Sequence, residues 1–229
     1  MPETTSGAEK IRVWDLPTRV FHWALAASVI GLGISGTVGG SAMIWHFRFG
    51  YTLLALLLFR LAWGLIGGRW SRFGSFFRAP RRIFDYLAGR DSEQLSIGHS
   101  PLGALSVFAM LTALLVQVGT GLLSDDEISF AGPLTAYVSG EWVSLATWYH
   151  ASVGKWIVLA LVLLHLAAIG YYTARKHQLV SAMLSGDKLA PAGLQPARDD
   201  AASRALALLV LAASGGLVYW ISTLGAAAF

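Results

Sequence analysis

The chain has 229 residues, 55% of them hydrophobic and 13% charged, with a formal net charge of +4 and a mean hydropathy of +0.58. A water-soluble domain of this length cannot hide so much apolar surface, so a membrane protein is the default reading. There is no cysteine, which excludes disulfides, thiolate-held iron–sulfur clusters, cysteine-rich zinc sites and haem attached through C-x-x-C-H, and leaves histidine, carboxylate or methionine to hold any metal.

In chain order, the opening "MPETTSGAEKIRVWD" is polar and mixed in charge. The apolar run after it has no A-x-A-like cleavage site, so it is expected to persist as a first span. Crossing the hydrocarbon core takes about 20 apolar residues at a helical rise of about 1.5 Å. Five stretches satisfy this: 18–38, 44–66, 102–123, 147–173 and 203–227. Many of the nine tryptophans fall near the ends of these runs, at headgroup level. Between the second and third runs, "WSRFGSFFRAPRRIFDYLAGR" (70–90) alternates aromatic and aliphatic residues with arginines. This suits an amphipathic helix lying in the interface on anionic lipid. After the fourth run, "SGDKLAPAGLQPARDD" is rich in Gly, Pro and charge and reads as a linker. The expected fold is an all-α membrane protein: a four-helix transmembrane bundle within 1–185, a cytoplasmic linker at 186–202, and a fifth C-terminal transmembrane helix at 203–227, with the interfacial helix in addition.

With the N-terminus inside, fourteen of the seventeen basic residues fall on one side: Lys10, Arg12, Arg19, Arg69, Arg72, Arg78, Arg81, Arg82, Arg90, Arg175, Lys176, Lys188, Arg198 and Arg204. The positive-inside rule then predicts a cytoplasmic N-terminus and a periplasmic C-terminus. The segment between spans three and four, "SDDEISFAGPLTAYVSGEWVS", carries four acidic residues and no basic ones. The positive charge is thus a matter of topology, and no nucleic-acid partner is expected.

Four of the six histidines lie on spans, where ionisable residues are costly and usually face the bundle interior. His150 and His165 share span four, separated by about 22 Å along an ideal helix and rotated by about 60°. His150 lies at the depth of His46, near the outer end of span two, and His165 approaches that of His22, near the inner end of span one. The depths make two pairs, each with one imidazole from span four. Such pairs suit the two axial positions of a haem iron, with the macrocycle edge-on between helices. Gly31, Gly33, Gly50, Gly154 and Gly170 are expected to make room for a flat ring. The ordinary role of a lone histidine here is packing or snorkelling, and a closed zinc site would gather four ligands rather than two and two.

A haem brings two propionates, and arginine can bind a carboxylate bidentately. Arg60 lies near His22 and His165 in depth, while Arg48 and Lys155 lie near the outer pair. The competing role for Arg60 is bonding to main-chain carbonyls. His99 precedes Ser100 and Pro101, which read as helix N-cap and first helical residue. Its ordinary role is to begin span three; the sharper alternative is proton exchange or quinone binding at the cytoplasmic surface. His177 is expected to be solvated.

Together "VWDLPTRVFHW", "LFRLAWGLIG", "GHSPLGALSVFAMLTALLVQVGTGLLSDD", "GPL" and "LLHLAAIGYY" resemble, in order and spacing, the bacterial cytochrome b561 family, in the branch of the nickel–iron hydrogenase b-type cytochrome subunit. The likeness covers about residues 11 to 185. It implies a four-helix bundle carrying two b haems, one near each membrane face, that passes electrons between a periplasmic donor or acceptor and the quinone pool. By position, His22 and His165 match the inner ligands, and His46 and His150 the outer ones. The family more often has asparagine where Ser100 stands.

The function expected from these readings is a membrane dihaem b-type cytochrome of a respiratory chain in the bacterial inner membrane. Its partners would be a periplasmic redox protein, either a c-type cytochrome or hydrogenase-like, together with quinone and membrane lipids. Arg60, His99, Trp14 and Arg19 are candidates for quinone contact. Two other classes stay open: a stand-alone quinone-linked oxidoreductase acting on superoxide or a small periplasmic acceptor, and a non-redox transporter or scaffold. The small residues Ala213, Ser214, Gly215 and Gly216 on the fifth span suit either docking of a partner or second copy, or packing within the chain's own bundle.

Overall fold

The structure is a computed structural model that describes residues 8–76 and 97–225. Five of its helical stretches are long and apolar enough to cross a membrane: Leu16–Val38, Gly40–Ile66, Pro101–Leu122, Gly140–Ala174 and Ala201–Leu224. Of the interfacial helix expected at 70–90, Phe73–Phe76 is helical, and 77–90 lies outside the described residues.

Local chemistry sets the helix limits. Strand β1 (Ala8–Arg12) leads into α1 (Leu16–Val38), capped by Asp15, whose carboxylate accepts the Thr18 N–H at 2.8 Å. Gly39 and Gly40, with φ of 66° and 54°, turn the chain back through a 3₁₀ turn, Gly40–Ala42, into α2 (Met43–Ile66). Positive φ is the conformation glycine adopts without steric cost. Beyond α3 (Phe73–Phe76), α4 (Pro101–Leu122) starts as expected: Ser100 accepts the Gly103 N–H at 3.1 Å, and Pro101 stands at the first helical position.

Span four is a composite. Helix α5 (Gly140–Trp148) runs into a π-helical segment, Tyr149–Gly154, and then into α6 (Lys155–Ala174). A π turn holds more residues than an α turn, so the rotation between His150 and His165 departs from the about 60° of an unbroken α-helix. After α7 (Leu179–Ser185), part of the expected linker is ordered: β2 (Asp187–Pro191) pairs antiparallel with β1, Ala8 opposite Pro191 and Arg12 opposite Asp187. Arg12 Nε sits 2.9 Å from Asp187, and Ile11, Val13, Trp14, Ala182 and Ala190 form a buried cluster beneath the ribbon. The segment "DKLAP" has no apolar alternation of its own, and its partner lies near the other end of the chain. Helix α8 (Ala201–Leu224) is capped by Asp200, which accepts the Ser203 N–H at 2.7 Å.

The tightest pairings are α1 with α2, α2 with α8, and α4 with α6; α1 and α6 make no comparably extensive contact among the described residues. Leu53, Leu57, Leu111, Leu114, Val118 and Val218 form the buried core of α2, α4 and α8. In lipid such packing rests on close van der Waals contact rather than on water exclusion. Ser203, Ala207, Ser214 and Val218 are the buried residues of α8, so Ser214 packs inward, while a Cβ at Gly215 or Gly216 would meet open space. No residue of α6 is buried.

Candidate functional site

The fold opposes the four intramembrane histidines two by two. His46, in the first turn of α2, and His150, inside the π segment, have ring centroids 6.0 Å apart and planes at 88°. His22 on α1 and His165 on α6 are 6.4 Å apart with planes at 52°. The first pair lies toward the face carrying the acidic Asp125–Glu127 loop, and the second toward the basic face that carries β1 and β2.

These separations test whether a metal could sit between the rings. Two metal–nitrogen bonds of about 2 Å, plus the distance from each ring nitrogen to its centroid, add to about 6 Å. Both pairs meet that requirement. His150 Nδ1 lies 2.8 Å from the Gln117 carbonyl oxygen, which assigns the ring proton to Nδ1 and frees Nε2 for a metal. His46 Nδ1 lies 3.4 Å from Ser35 Oγ, and His22 Nδ1 is buried with no protein partner. Among the described residues no three His, Cys, Asp or Glu side chains gather as a metal site. Helices α1 and α6, which carry His22 and His165, are not closely packed against each other among the described residues.

Of the five glycines expected to make room for a flat ring, two face open space and three are packed against protein side chains. A Cβ at Gly31 would strike the Phe49 ring, one at Gly154 the Gln117 amide, and one at Gly50 would rest 4.0 Å from Leu32; only Gly33 and Gly170 face open space. Gly36 and Gly121 instead seat the imidazoles, since a Cβ would come within 3.1 Å of His46 and 2.8 Å of His150. Periodicity does not show which glycines face a ring and which face protein side chains, because that depends on the neighbouring helix. Gln117 was also missed, although an amide within an apolar span is a signal in itself.

On the basic face, Arg60 is buried at 4% exposure, its guanidinium 4.6 Å over the Phe73 ring and its Nη1 without a partner. His99 is wedged between Trp14, at 4.7 Å, and Phe76, at 4.3 Å, with Nδ1 buried and unpartnered. Burial pushes the His99 imidazole down to about 3, with the Arg60 and Lys188 cations acting in the same direction. Trp70 Nε1 and Arg19 Nε are likewise buried without acceptors. Buried polar atoms are normally satisfied, so these are the exceptions among the described residues on this face.

Beside it, Asp15 is fully buried and accepts from Thr18 N, from Ser71 Oγ at 3.0 Å and from Trp63 Nε1 at 3.3 Å. It ties the first span to the second and to the segment that follows. Arg48 and Lys155 are exposed at the opposite face, the first 4.8 Å over Trp45 and the second 5.5 Å over Trp156, as cations snorkelling beside interfacial tryptophans do. His177 is exposed, as expected, with its ring against Tyr172.

Imidazoles set against each other across a helical membrane bundle, at the spacing of an axially ligated metal and with no thioether attachment available, define a class: the membrane b-type cytochromes, which carry electrons on non-covalently held haem. The chain belongs to the prokaryotic cytochrome b561 family, which matches residues 13–186. Among its relatives is the probable Ni/Fe-hydrogenase B-type cytochrome subunit of Azotobacter vinelandii, 28% identical over 227 aligned residues that cover 80% of this chain and 93% of the relative. The subunit of that name from Bradyrhizobium diazoefficiens is 26% identical, covering 81% and 89%. The probable Ni/Fe-hydrogenase 1 B-type cytochrome subunit of Escherichia coli K12 is 23% identical, covering 74% and 84%. No solved structure matches the chain.

Proposed function

We propose that this protein is a dihaem electron conduit, passing electrons between a redox protein docked on its acidic face and the quinone pool reached from its basic face. The observation that carries the reading is the pair of imidazole couples, His22 with His165 and His46 with His150, at 6.4 Å and 6.0 Å. Each couple would hold one haem b, which when bound supplies reversible one-electron iron chemistry. Two centres, about 22 Å apart by the helical distance from His150 to His165, divide a hydrocarbon crossing of about 30 Å into shorter transfers.

The chain's own residues set the terms of that transfer. The Gln117 carbonyl orients His150 and increases its basicity as a ligand. Arg60, and at the other face Arg48 and Lys155, supply positive charge for propionates. Arg60 and His99, with Trp14 and Arg19 beside them, are the candidates to meet a quinone, because their unpartnered donors suit carbonyl oxygens. With the basic face cytoplasmic by the positive-inside rule, protons taken up there would come from the cytoplasm. A hydrogenase is the partner favoured by the relatives' names, with a c-type cytochrome as the alternative.

The test is a dithionite-reduced spectrum and a haem-to-protein ratio on the purified chain, followed by oxidation with a water-soluble quinone analogue. Two b-type haems per chain and rapid reoxidation are expected. A colourless protein, or reoxidation unaffected by quinone-site inhibitors, rejects the conduit or its quinone end respectively.

A further inference from the structure

Gln117 and His150 hold each other twice. The His150 imidazole donates from Nδ1 to the Gln117 main-chain oxygen at 2.8 Å, and the Gln117 side-chain amide donates from Nε2 to the His150 main-chain oxygen at 3.0 Å. The second bond lands inside the π-helical segment Tyr149–Gly154, where the regular α ladder is interrupted and main-chain acceptors are displaced from their usual partners. The arrangement depends on two glycines. A Cβ at Gly154 would collide with the Gln117 amide oxygen, and a Cβ at Gly121 would stand 2.8 Å from the His150 ring. Gln117 therefore runs through the gap left by one glycine to brace the backbone of the histidine, while the ring occupies the gap left by the other.

We infer that Gln117, with Gly154, is the positioning device for the acidic-face iron ligand: the amide secures the π turn, and the turn sets the direction of the His150 ring. The inference rests on the haem reading above and adds to it a residue that does not itself ligate. Among the described residues the His165 end of the same span has no such brace; it lies in regular helix, as does its partner His22. The two haem sites therefore respond differently to this amide. Loosening the turn weakens the Nδ1–H bond to the Gln117 carbonyl, makes the imidazole a poorer electron donor and so favours the ferrous state.

The experiment is a potentiometric titration with low-temperature electron paramagnetic resonance on the full chain in detergent, for the parent, Gln117→Leu, Gln117→Glu, Gly154→Ala and the Gln117→Ala/Gly154→Ala pair. His46→Ala identifies the acidic-face transition by its loss. For the uncharged variants the expected result is a positive shift and altered g values of that transition alone, with a tenfold or greater loss of haem retention at that site. In the pair the clash with the amide is gone and only the contact of the new Cβ with Tyr149 remains, so its effect should fall short of the sum of Gln117→Leu and Gly154→Ala. Gln117→Glu keeps the side-chain volume but adds a carboxylate that pulls the potential negative, so, if the leucine variant is not recovered, it is judged by the g values and haem retention of the acidic-face site. Potentials and spectra superimposable on the parent, or equal shifts of both transitions, overturn the inference while the dihaem reading stands. A parent with fewer than two b-type transitions overturns the dihaem reading itself.

Discussion

The rings of His46 and His150 meet at 88°, almost at right angles, whereas those of His22 and His165 meet at 52°. The two couples thus differ in geometry within one bundle, and if each holds a haem as proposed, the two haems are expected to be lost independently.

His46→Ala and His150→Ala should each halve the haem-to-protein ratio and abolish the same spectral component. His22→Ala and His165→Ala should each abolish the other. Pyridine haemochrome assays with second-derivative absorption spectra read this out. Loss of both components from a single substitution, in a sample with parental helical circular dichroism, would contradict the two-layer arrangement.

Arg60 carries its charge at 4% exposure on the basic face, the side of the membrane on which the His22–His165 couple lies. A nearby cation favours the ferrous over the ferric state, since reduction removes one unit of positive charge from the iron. Arg60→Gln should therefore shift the basic-face potential negative and leave the acidic-face potential in place. A redox titration showing no shift, or a positive one, argues against Arg60 as the charge partner of that haem.

Asp15 is the polar hub of the basic face. Replacing it with alanine removes the cap of α1, strands the Trp63 donor and leaves Ser71 only its bond to Thr18, a loss of about 2–4 kcal/mol. Asp200→Ala removes an exposed cap and should cost clearly less. Gly68→Ala should resemble the Asp15 variant, because its Cβ would press on the Asp15 carboxylate. Thermal melts in one detergent rank the three; an Asp15 variant as stable as the Asp200 variant would refute the assignment.

His99 supplies a pH signature. Its folded-state value of about 3 lies below the about 6.5 of an unfolded histidine. Between those values the unfolded chain binds the extra proton and the folded chain does not, so stability rises with pH across that window and is lost as pH falls. The contribution to the slope approaches about 1.4 kcal/mol per pH unit in mid-window. His99→Phe should flatten the dependence of melting temperature on pH between about 3 and 6.5. An unchanged slope would mean that His99 takes up its proton without unfolding the site.

Much of the architecture is legible in the linear chain because it follows from local chemistry. A span needs only a run of apolar residues, so the five crossings are visible in the hydropathy. The Ser100–Pro101 start of α4 needs only a cap and a fixed φ. The histidine couples are visible because depth along a helix is proportional to residue count, and imidazoles at matched depths in a bundle can meet. Direction around the axis is a different matter. The π turn at His150, the brace from Gln117 and the choice of Gly36 and Gly121 over Gly31 and Gly154 as ring seats depend on how neighbouring helices pack. The pairing of β1 with β2 across nearly the whole chain, and the burial of Asp15 against Trp63, Gly68 and Ser71, likewise arise only when distant segments meet. Residue spacing sets the height of each group in the membrane; tertiary packing decides which way it faces and what it touches.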